Sequence, residues 1–187
     1  MVQECLSVDG VRLDFTFLCD HLLDAIVHRL DRQELESPSA SPLQPELWLE
    51  GVVCLLGYFC LGNRKHQEVL QMGPPPTILV RLCNLPFRYF SESRYQRVLF
   101  PTLIAICYQN VPNRDLAEND LATEVFADFL QQHLKGNGTQ LPTDKGPARS
   151  ESVPSLMQEL TTSGVLLSHR LPLEMWKGAI AFFRPTS

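Results

Sequence analysis

The chain lacks a long apolar run, a paired-cysteine motif and any signature of a nucleotide, cofactor or catalytic site. Its longest apolar stretch, Leu47–Leu61, spans fifteen residues and is broken by Glu50, Gly51 and Gly57. A membrane-spanning helix needs roughly 20 apolar residues, so a buried core helix is expected there and membrane insertion is not. Acids recur through the first thirty residues with no apolar segment of the secretory type, so no signal peptide is expected. The six cysteines contain no Cys-x-x-Cys pair and sit mostly in apolar runs. They are expected to be buried free thiols of a reducing, cytoplasmic compartment.

No Gly-rich phosphate loop, His-Glu-x-x-His, nucleophile elbow or dinucleotide fingerprint occurs. Catalysis, a cofactor and a small-molecule substrate are therefore not expected. Ser168-His169 has no oriented acid in view. His21, Asp24 and His28 suggest metal ligation, but the two histidines are two helical turns apart, about 10 Å. Asp24 with either one supplies only two ligands, so no metal site is expected.

What the chain does have is helical periodicity cut by proline. A first helix opening at Asp9 or Asp14 would carry Val11, Phe15, Leu18, Leu22, Ile26 and Leu30 on one face. With the Pro/Ser loop Leu35–Pro45 it makes an N-terminal segment, 1–45. Further helices are expected over Glu46–Leu61, Lys65–Gln71 and Thr77–Leu85, with Pro76 in the first turn of the last. Close packing is expected at Gly51 and Gly57. Phe87, Tyr89 and Phe90 then crowd a loop. A central helix follows, capped by Ser91 or Ser93 and kinked or divided at Pro101. Asn113 or Asp115 starts the next helix, which continues or restarts at Asp120 and runs to Leu134 with Leu121, Val125, Phe126, Phe129 and Leu130 inward. A flexible linker, 135–154, and C-terminal helices within 155–187 complete the chain, the last of them docking on the body.

A shift of 47 residues places Trp48 on Tyr95, Val52 on Leu99, Val53 on Phe100, Leu56 on Leu103 and Cys60 on Cys107. Asn63 then falls on Asn110, Val69 on Leu116, Ile78 on Val125, Leu79 on Phe126 and Leu82 on Phe129. That period lies at the upper end of armadillo and HEAT repeats. The expected fold is all-α, a short α-solenoid over 46–134 with two armadillo/HEAT-like helical repeats, Glu46–Leu85 and Ser93–Leu134.

The net charge of −5 is unevenly spread. Ten acids face three bases in residues 1–50, whereas Gly62–Arg114 holds seven bases and two acids. Within that basic stretch Arg81, Arg88, Arg94 and Arg97 alternate with Phe87, Tyr89, Phe90 and Tyr95. Arginine beside aromatics can stack on bases or grip acidic side chains. Arg81, Arg88, Tyr89, Arg94 and Arg97 are therefore the candidate partner-binding residues. The bland reading, aromatics in the core with arginines around them, remains open.

Leu82-Cys83-Asn84-Leu85-Pro86-Phe87-Arg88-Tyr89-Phe90-Ser91, then Val98-Leu99-Phe100-Pro101-Thr102-Leu103-Ile104-Ala105 and Cys107-Tyr108, resemble the C-terminal region of the S-phase cyclin A-associated family of the endoplasmic reticulum. Arg170-Leu171-Pro172 through Trp176 to Phe182-Phe183 is similar to that family's final helix. The resemblance covers roughly Leu47–Leu134 and the C-terminus. It implies a cytosolic adaptor scaffold at the endoplasmic reticulum, linked to the cell cycle and to ribosome-associated decay of tubulin mRNA. Ribosome-associated and deadenylase-complex proteins are the partners it implies. The family's cyclin-binding and zinc-finger portions lie outside the resemblance and are not carried over. The alternative is a helical module that contacts RNA or the ribosome through 62–114.

Overall fold

The structure, a computed structural model, describes residues 9–35, 45–136 and 173–184. These residues are all helix and connection, with no strand among them. In chain order the helices are α1 (Asp9–Leu35), α2 (Pro45–Cys60), α3 (Arg64–Val69), α4 (Ile78–Cys83), α5 (Arg88–Ser91), α6 (Ser93–Cys107), α7 (Val111–Glu118), α8 (Glu124–Gly136) and α9 (Leu173–Phe183). The Pro/Ser loop over 36–44, the expected helix over Ser155–Thr161, the linker from residue 137 onward and Cys5 lie outside the described residues.

The core is built on α2 and α6, which lie against each other. Leu49, Val53, Leu56 and Cys60 of α2 and Leu99, Leu103, Ile106 and Cys107 of α6 are all buried. The Thr102 hydroxyl donates to the Val53 carbonyl at 3.0 Å, tying the two backbones together. Gly62 lets the chain turn after α2 with φ 65°, a left-handed conformation that glycine adopts without strain.

Some residues 47 apart share hydrogen-bond geometry or burial. Leu56 and Leu103 are each 0% exposed. The Cys60 thiol lies 3.7 Å from the His66 carbonyl, and the Cys107 thiol lies 3.7 Å from the Asn113 carbonyl. His66 Nδ1 bonds to the Phe59 carbonyl at 2.7 Å, and Asn113 Nδ2 donates to the Ile106 carbonyl at 2.9 Å. Each of those four bonds has its counterpart at the same shift. Gln67 then bridges the halves, its Nδ-equivalent amide Nε2 donating to the carbonyls of Ala105 and Tyr108 at 2.8 and 3.1 Å. Buried amides satisfied in this way hold α3 and α7 in fixed register against α6.

Several local expectations need correcting. On α1 the buried stripe is Thr16, Cys19, Leu23, Ile26 and Leu30, while Val11, Leu18 and Leu22 are exposed. The long helix packs on α2 along only part of its apolar surface. Trp48 is exposed where its counterpart Tyr95 is buried. A side chain added at Gly51 would meet nothing within 4 Å, so close packing does not explain that glycine. Thr77, not Pro76, precedes α4, and Phe87–Ser91 forms a helical turn, not a loop. Glu92 precedes α6 without a side-chain cap, and α6 runs undivided through Pro101. Asn110 opens α7, earlier than Asn113 or Asp115.

The last helix packs against α8. Phe183 meets Phe126 at 5.4 Å between ring centroids, and Trp176 meets His133 at 5.5 Å. A methyl group at Gly178 would collide with the Tyr108 hydroxyl, so glycine permits this approach of α9 to the end of α6.

Candidate interaction surface

Arg81 leaves α4, Arg88 leaves α5, and Arg94 and Arg97 leave the first two turns of α6. Three of these four arginines already hold a carboxylate of this chain. Arg81 Nη1 lies 2.7 Å from Asp24 on α1, with Asp20 3.5 Å from its Nε. Arg88 and Arg94 pair with Glu46 and Glu50 of α2 at 3.5 and 3.2 Å. Arg97 is exposed and has no ion pair among the described residues.

The Arg94 pair reaches into the interior. The Glu50 side chain is 1% exposed, and its Oε2 has no hydrogen-bond partner among the described residues. Burial raises the pKa of this carboxyl, the charge and hydrogen bond of Arg94 pull it back, and Glu46 adds a smaller upward push. Beneath the ion pairs Tyr89 and Tyr95 meet at 4.5 Å between centroids. The Arg88 guanidinium sits 5.4 Å from the Tyr89 ring, and that of Arg94 5.1 Å from the Tyr95 ring. Burial pushes both tyrosine hydroxyls upward in pKa. Tyr89 itself is 2% exposed and belongs to the interior. Its neighbour Phe87 is 80% exposed.

The five residues singled out in the sequence thus divide. Arg88, Tyr89 and Arg94 form one charged and aromatic seam between α2, α5 and α6. Arg81 belongs to the contact between α1 and α4. Of the five, only Arg97 is a charge without an ion pair among the described residues.

A recess of about 280 Å³ lies between α6 and α8. Phe100 and Phe129 floor it, and Phe90, Leu121 and Val125 rise around it. Gln96, Asp128 and Gln132 supply polar edges. Val125, expected to face inward, is instead exposed and lines this opening. A signal was present: Val125 and Phe129 form one stripe on α8, with Leu121 just ahead of it, and Phe126, Leu130 and His133 form another. α9 covers the second stripe and leaves the first open.

Among the described residues no three His, Cys, Asp or Glu side chains converge as a metal site, and no helix is long and apolar enough to cross a membrane. The five described cysteines are free and buried. Desolvation raises the pKa of the Cys19 and Cys83 thiols to about 11 and about 12, the reverse of an activated nucleophile.

The observations define an all-helical body with an ion-paired seam and one open aromatic recess. Over 182 residues it is 30% identical to the human S phase cyclin A-associated protein in the endoplasmic reticulum, a match that takes in 97% of this chain. The similarity therefore extends well beyond the Leu47–Leu134 and C-terminal stretches whose residues first suggested it. The chain spans 11% of that relative's length. No family model matches the chain, and no solved structure matches it.

Proposed function

We propose that this chain is a non-catalytic protein-interaction module built from two armadillo-like helical repeats, Glu46–Leu85 and Ser93–Leu134. The observation that carries the reading is the open aromatic recess between α6 and α8, whose lining includes Asp128, a carboxylate with no ion pair among the described residues. Apolar floors with a charged rim are the anatomy of protein–protein contact. A phosphate-binding surface needs several free cations, and three of the four arginines are occupied by acids. The paired hydrogen bonds 47 residues apart support the repeat reading. Similarity to a relative named for cyclin A association and for the endoplasmic reticulum supports an adaptor at the cytosolic face of that compartment. By the resemblance its partners are ribosome-associated or deadenylase-complex proteins acting in mRNA decay.

Affinity capture from cytosol, with and without nuclease and at low and raised salt, tests the reading. A protein partner retained after nuclease treatment and at raised salt is the expected result. Recovery that disappears with nuclease and falls steeply with salt would instead assign the basic stretch 62–114 to RNA.

A further inference from the structure

We propose that the recess between α6 and α8 is the seat of one α-helix from a protein partner, held as α1 is held on the first half and presenting a basic side chain to Asp128. The inference rests on the interaction-module reading and specifies its partner.

The argument starts from what covers the corresponding face 47 residues earlier. There α1 lies over α4, its Leu13, Thr16 and Phe17 closing with Ile78 and Pro74 around a small space of about 60 Å³. Ile78 is consequently 3% exposed. Arg81, one turn further along α4, is neutralised by Asp20 and Asp24 of α1. Shifted by 47, Pro74 becomes Leu121, Ile78 becomes Val125, Arg81 becomes Asp128 and Leu82 becomes Phe129. All four of these second-half residues line the open recess. Val125 is 38% exposed because nothing described takes the place of α1. α9 lies on the Phe126 side of α8 and does not reach this stripe.

Charge selects the occupant. Where the first half carries Arg81 against acids of α1, the second half carries Asp128, with Glu124 one turn before it. Neither has an ion pair among the described residues. A helix seated here must therefore bring Lys or Arg to the α8 wall. A second copy of α1 would bring Asp20 and Asp24 against Asp128 and be repelled. The chain's own apolar stretch Leu156–Leu167 carries Glu159 and no base, so it too has the wrong charge. The size agrees with one or two anchoring side chains, since pockets for drug-sized ligands run to roughly 300–1,000 Å³. Among the described residues there is no sheet edge to extend, and the helix α1 on the corresponding face makes helix-in-groove recognition the mode.

The probe is a display library of helix-forming 14-residue peptides with a fixed Leu/Phe stripe at i, i+3, i+4 and i+7 and flanks randomised among Lys, Arg, Glu and Gln. It is selected on the full chain. Enriched peptides should carry Lys or Arg along one flank. Val125→Arg should weaken them at least about tenfold, and Asp128→Lys about fivefold, as expected for an anchor contact and a rim pair. Both substitutions are at exposed positions, and unchanged helical circular dichroism would show that each variant is folded. If Val125→Arg unfolds, Asp128→Lys alone decides. Peptides without a basic preference, binding indifferent to both substitutions, or no enrichment at all would overturn the proposal. So would a wild-type dimer in sedimentation that Val125→Arg abolishes, or displacement of the peptides by oligouridylate. If the peptides fail while nuclease-resistant capture of a protein persists, the module reading stands and only this seat is lost.

Discussion

Asn63 and Asn110 cap the short helices α3 and α7 in the same way. Each side-chain oxygen accepts from the backbone N–H three residues on, at 3.2 Å in both cases. Their backbone angles agree closely, with φ −125° and ψ 99° at Asn63 and φ −126° and ψ 86° at Asn110. The two differ in burial. Asn110 is 0% exposed and its Nδ2 also donates to Gln67 Oε1 at 3.3 Å, whereas Asn63 is half-buried, with its Nδ2 3.3 Å from His66 Nε2.

Alanine at either position should cost about 1 kcal/mol for the lost cap. Asn110→Ala should cost more, about 2 kcal/mol, because it also strands a buried Gln67 amide oxygen. Urea unfolding of the two variants measures the difference, and equal losses would show that the Gln67 contact contributes nothing.

Leu56→Ala and Leu103→Ala should each destabilise by about 2–5 kcal/mol, the range for large buried truncations. A loss below about 1 kcal/mol at either site would contradict the shared core environment.

The core of this architecture was legible because burial and capping leave periodic marks. The apolar spacing of Val52, Val53 and Leu56, the glycine turn and the recurring asparagine all survive in one dimension. Ion pairing does not. Arg94 and Glu50 are 44 residues apart, and Arg81 and Asp24 are 57 apart. A run of bases therefore reads as a patch until the fold brings acids to it. The same limit hid the recess. Val125 is as apolar as Ile78, and only the position of α1 decides that one is covered and the other open.

Arg94 should matter for stability although it is half exposed, because its partner is not. Arg94→Ala leaves the Glu50 carboxyl buried without a counter-charge and should cost about 1–3 kcal/mol. Adding Glu50→Gln to that variant should recover much of the loss. A double variant no more stable than Arg94→Ala would mean that the guanidinium acts through its contact with Tyr95.

Glu50 also sets a pH dependence. Its carboxyl is raised above 4.5 chiefly by burial, so the folded chain holds this proton more tightly than the unfolded chain does. The resulting stabilisation is fully present below the unfolded value and is lost as pH rises through the raised one. Glu50→Gln removes that titration. Its stability relative to the unsubstituted chain should increase as pH rises from about 4.5 toward neutrality. A constant difference across that window would place Glu50 in an ordinary solvated environment.

The central claim, a protein partner seated on the open face of α8, is tested most directly by site-specific photo-crosslinking. A benzophenone side chain at position 125 lies in the recess, and one at position 72 lies on the α1-covered half, where Met72 is exposed. In nuclease-treated cytosol, position 125 should yield a discrete protein adduct that position 72 does not, and Asp128→Lys should remove it. Identical adducts from both positions, or adducts from position 125 that consist of nucleic acid and vanish with nuclease, would contradict the account.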